Sequence, residues 1–69
     1  MTQKELCYIE DAVGHESNII KICQESMNML ENEDLIAFIK KEIKKHESIK
    51  YELMEMLEVK SNEWSSYNG

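Results

Sequence analysis

The chain has 69 residues with no proline and only two glycines; 42% of it is hydrophobic, 32% is charged, and the net charge is −6. No stretch reaches the roughly 20 apolar residues that span a bilayer, and no basic face stands ready to neutralise phosphates, which argues against membrane and nucleic-acid partners. One domain is the upper bound, since a chain of this length buries only about 60% of its unfolded surface when it folds alone.

The first element announces itself at once. Thr2 followed by Glu5 has the spacing of a capping box, in which hydroxyl and carboxylate each satisfy an orphan backbone amide at a helix start. From there Leu6, Ile9, Val13, Glu16, Ile20, Cys23, Met27 and Leu30 step by three and four, the spacing of a helix seam. Ala12, Ile19, Ile22 and Met29 widen this seam into the broader stripe of a bundle helix. The spacing predicts helix 1 at about 3–30. Gly14 falls in its middle, where glycine costs up to about 1 kcal/mol against alanine, so close approach of a second helix is the expected reason for it. Cys7 and Cys23 lie on this one helix, roughly 24 Å apart at 1.5 Å per residue, and are expected as reduced, partly buried thiols.

The run Glu31-Asn32-Glu33-Asp34 breaks the pattern, and either Asn32 or Asp34 can cap a second helix. A second series, Leu35, Ile39, Ile43, His46, Ile49, Leu53 and Met56, flanked by Ile36, Phe38 and Leu57, predicts helix 2 at about 34–60. Residues 61–69 have no period and are expected as a flexible tail, in which Trp64 is free to dock on a neighbour. Two long helices joined by a few residues form an antiparallel hairpin.

The expected fold is therefore all-α: a helical hairpin over residues 1–60 that dimerises into a four-helix bundle, with a tetramer as the larger option. The expected interface residues are Ile9, Val13, Ile20, Cys23, Met27, Ile39, Ile43, Leu53 and Met56. Charge supports packing the two segments together. Residues 1–34 carry two lysines against eight acids, whereas residues 35–69 carry six of each. Lys40, Lys41, Lys44 and Lys45 form a basic patch, read first as a solvated face and second as a dock for an acidic partner.

The polar residues most informative for function are Glu16 and His46. In a hairpin turning near residue 32 they come level on the two apolar seams, where each is costly unless it satisfies the other or a metal. As a buried polar pair they fix register; as ligands, with Glu42 in support, they would hold iron, zinc or manganese. Asp11 and His15 are expected as a pair one turn apart. His-Glu-Ser occurs at 15–17 and again at 46–48, either by chance or as the trace of a helix repeat. The sequence has no nucleophile–base arrangement and no glycine-rich phosphate loop, so no enzymatic activity and no resident cofactor is expected.

Two runs of residues carry a family resemblance. Ala-Val-Gly-His-Glu-Ser at 12–17 resembles the first iron-ligand helix of rubrerythrin-type ferritins, and Lys-Glu-Ile-Lys-Lys-His at 41–46 resembles their second. The resemblance places Glu16 and His46 at ligand positions. It departs from the pattern at Ile43, where those proteins carry a glutamate three residues before the histidine; Glu42 stands four before. More of the chain, from Lys4-Glu-Leu-Cys-Tyr-Ile-Glu-Asp-Ala-Val-Gly-His-Glu16 through His46, Tyr51, Leu53 and Met56 to Trp64, is similar to small ferritin-like proteins grouped with spore coat protein F of spore-forming Firmicutes. That resemblance implies a self-associating bundle protein with its metal ligands mostly lost, cytoplasmic or spore-associated. A metal-binding homodimer and a small acidic inhibitor or adaptor are the alternative expectations.

Overall fold

The computed structural model describes residues 1–68, with side chains through Glu58. It contains two helices, α1 over Gln3–Met27 and α2 over Glu33–Asn68, packed antiparallel as a hairpin, and no strand among the described residues. No helix among them is long and apolar enough to cross a membrane.

Both helix starts are made as the sequence predicts. The Glu5 amide donates to Thr2 Oγ1 at 3.1 Å, and the Thr2 amide donates to Glu5 Oε1 at 2.9 Å, completing the capping box. The Thr2 amide, and after it the Thr2 hydroxyl, hold the Glu5 carboxyl below its ordinary value of 4.5. At α2 it is Asn32 that caps, accepting the Leu35 amide at 3.1 Å, with Glu33 and Asp34 in the first turn against the positive end of the helix dipole.

The first helix is shorter than its apolar pattern suggests. α1 ends at Met27 rather than near residue 30, because Asn28 and the two residues after it turn onto Gln24, Ser26 and Met27 carbonyls. Every residue of the turn keeps negative φ, so no glycine is needed there. α2 continues through Asn68, beyond the expected end at 60, since each residue added to an existing helix brings one more backbone bond without a new nucleation step. The expected tail thus begins as helix, and the Trp64 side chain lies outside the described residues.

Along α1 the seam is the predicted one: Leu6, Ile9, Val13, Glu16, Ile20, Cys23 and Met27 are half-buried. Along α2 the phase differs by one residue at three points. Ile36, Lys50 and Leu57 occupy the line through Ile39, Ile43, His46 and Leu53, and leave Leu35 50% and Met56 45% exposed. Ile49 sits beside Lys50 and is half-buried too. An apolar stripe two residues wide has no unique centre, and the partner helix chooses it. Lys50 fits because its aliphatic stem covers apolar surface while its ammonium reaches water. Of the nine expected interface residues, all but Met56 line the seam within the hairpin.

Gly14 departs from expectation. It is exposed, and a Cβ built on it meets nothing within 4 Å, so close helix approach is not its reason. Gly14→Ala is expected to stabilise the protein by up to about 1 kcal/mol, read as a higher Tm in a thermal melt. The capping box gives a pH prediction. Glu5 has a lowered pKa in the folded chain, so its contribution is complete above 4.5 and is lost as pH falls through the lower folded value. Thr2→Ala, lacking the box, should therefore lose less helix stability than the wild type in an acid titration followed by circular dichroism.

Candidate functional site

Midway along the hairpin the apolar seam is interrupted by one polar layer. Glu16 arrives from α1 and His46 from α2, and His46 Nδ1 lies 2.5 Å from Glu16 Oε2. An ionised carboxylate only accepts, so the ring Nδ1–H is the donor in this bond. Their side chains are 16% and 20% exposed, flanked on the seam by Ile20 and by Ile43, the most deeply buried residue among those described. Sequence spacing brings this pair together as expected.

The third expected participant stands on the other edge of the ring. Glu42 Oε2 is 3.8 Å from His46 Nε2, one turn before it on α2, an ion-pair distance rather than a hydrogen bond. The imidazole is thereby held between two carboxylates, one at each nitrogen. Glu16 and Glu42 approach opposite edges of the ring, and their oxygens do not converge with a ring nitrogen on one point. Among the described residues no three histidine, cysteine or acidic side chains are grouped to hold a metal ion. The arrangement can orient an imidazole, fix its tautomer and exchange a proton along the Glu16–His46 bond.

The remaining polar candidates are spread over the surface. Asp11 and His15 are both exposed and make no ion pair with each other. The two His-Glu-Ser runs do not superpose in role, because Glu16 faces the seam in the first and His46 in the second. The lysines at 40, 41, 44 and 45 are all exposed. Cys7 is an exposed free thiol, and Cys23 a half-buried one. Lys50 is the residue that sequence reasoning missed, although it stands four after His46, the step that every other seam residue obeys.

No family model matches the chain, and neither a curated protein nor a solved structure shows significant similarity to it.

The pair makes a specific prediction. His46→Leu or Glu16→Leu alone strands the other polar group in an apolar seam and should cost about 1–3 kcal/mol. Glu16→Leu with His46→Leu together should be no less stable than either single variant, because replacing both partners removes the desolvation cost along with the bond. Urea unfolding of the four proteins closes the cycle, and additive losses would mean that the two side chains do not depend on each other.

Proposed function

We propose that this chain is a non-enzymatic structural or interaction protein that acts as a self-associated bundle, two hairpins closing into four helices, in keeping with the coat-F-like resemblance. The observation that carries the reading is how little the hairpin covers. Its accessible surface is 5719 Å², about 1,200 Å² more than the roughly 4,500 Å² of a compact protein of 8.2 kDa. Its radius of gyration is 16.0 Å against about 11 Å for a compact chain of this length. Part of that excess is the stretch of α2 that runs past α1, and part is the ten large apolar side chains that stay exposed among the described residues, which association would cover.

A metal-binding dimer is the weaker reading, because the carboxylates that would be its ligands are engaged with opposite edges of one imidazole. Light scattering on untagged protein tests the preferred reading. The expected mass is twice 8.2 kDa, and the Tm should rise with protein concentration, as linkage requires of a folded state that exists by association. A concentration-independent Tm together with a monomeric mass would refute it.

A further inference from the structure

We propose that a second copy of this chain covers one particular face of the hairpin, with the two inter-helix turns at the same end of the bundle; this rests on the self-association argued above. At 3.6 residues per turn, Tyr8, Ile19 and Ile22 fall on the flank of α1 next to Ile9, Glu16 and Cys23. By the same geometry Leu35, Phe38, Ile49 and Met56 fall on the flank of α2 next to Ile39, His46 and Leu53. In an antiparallel pair, the flanks beside Glu16 and beside His46 lie on the same side.

Six of the large apolar side chains that the hairpin leaves exposed therefore share one face, among them Ile22 at 61%, Phe38 at 60% and Leu35 at 50%. The opposite face carries Glu10, Ser17, Lys21, Gln24, Lys40, Lys44 and Glu47. Tyr51 and Met54 are its large apolar exceptions, and they line a shallow groove with Glu10, which fixes the side they are on. One side of the hairpin is thus the richer in exposed apolar side chains, with His15, Glu42, Lys45 and Glu52 among them, and the other is mostly polar.

The occupant is identified by the apolar self-complementarity of the face. A second copy supplies the same face, and a two-fold axis joins the two without leaving an open end. Two arrangements are closed. With the turns at opposite ends, α1 lies across from the partner's α1. The same arrangement brings Lys45, midway along the face, close to the partner's Lys45. With the turns at one end, α1 lies across from the partner's α2. The densest apolar part, Ile19, Ile22, Leu35 and Phe38, lies in the half nearer the turn, and this arrangement sets it against itself. The separation of the two Lys45 side chains and the match of apolar density select the second arrangement.

The test separates the face from the association. In sedimentation equilibrium, Ile22→Glu and Phe38→Glu should each weaken the dimer at least about 30-fold, as loss of a central apolar contact does. Tyr51→Glu and Met54→Glu, on the polar side, should leave it unchanged, with helicity followed by circular dichroism throughout. Pulsed electron resonance on a nitroxide at Glu31→Cys, in a Cys7→Ser, Cys23→Ala background, reads the arrangement without disturbing the face. Turns at one end should give a separation within about 25 Å, set by neighbouring helices packed 8–10 Å apart. A separation of about 40 Å, the length of the paired helices, would mean opposite ends and would overturn the arrangement. A dimer dissociated by the Tyr51 and Met54 variants but not by the Ile22 and Phe38 variants would overturn the face while leaving self-association intact. A wild type that is monomeric at about 100 μM, whether free or taken up by another protein or a lipid vesicle, would overturn both.

Discussion

Two helices laid side by side meet along one line, and a side chain on that line is covered from one direction only. That constraint governs the molecule. Ile43, at the centre of the seam, is 8% exposed, and every other described residue keeps more contact with water. Ordering each backbone residue costs about 1–2 kcal/mol, against about 25 cal/mol for each Å² of apolar surface removed from water. A single seam is a thin return for ordering two long helices. Small folds commonly compensate with disulfides, a structural metal or association. Here the two thiols are free and on one helix, and the candidate ligands are bonded to each other. Association is the route that the exposed surface supports.

Much of this was legible in the residues, and the parts that were not have physical reasons. Capping boxes are local, so Thr2 with Glu5, and Asn32 before α2, could be read directly. The meeting of Glu16 with His46 needed only the turn position and the 1.5 Å rise, and errors of a residue or so do not move a pair off a shared layer. The phase of α2 was harder. Within the pairs Leu35 and Ile36, and Met56 and Leu57, hydrophobicity alone does not say which turns inward, and at 49 and 50 it points to the isoleucine although both residues are half-buried. α1 decides it, and a decision made by a partner helix is not written in local sequence. Gly14 misled for a related reason: a glycine marks either close approach or nothing at all, and the open space above it is visible only in three dimensions.

The polar layer and the apolar face are connected. A seam made largely of isoleucine and leucine tolerates sliding by seven residues, since each side chain then meets another of its kind. Glu16 and His46 do not tolerate it. Shifted by one heptad in either direction, Glu16 would lie against Ile39 or Leu53, and His46 against Ile9 or Cys23, each with its polar atoms stranded in the seam. The pair therefore holds the register of the hairpin, at some cost in stability relative to an all-apolar layer.

Register in turn composes the outer face, because that face draws half its residues from each helix. In the observed pairing Ile22 comes level with Phe38, and Ile19 with Glu42, whose carboxylate turns toward the His46 ring. A seven-residue slip would separate Ile22 from Phe38 by about 10 Å along the axis and break the apolar patch into two smaller ones. A single hydrogen bond inside the hairpin thus determines the surface presented outside it. Loss of that bond would loosen the definition of the face as well as the stability of the fold, so the polar pair acts on assembly without touching the partner.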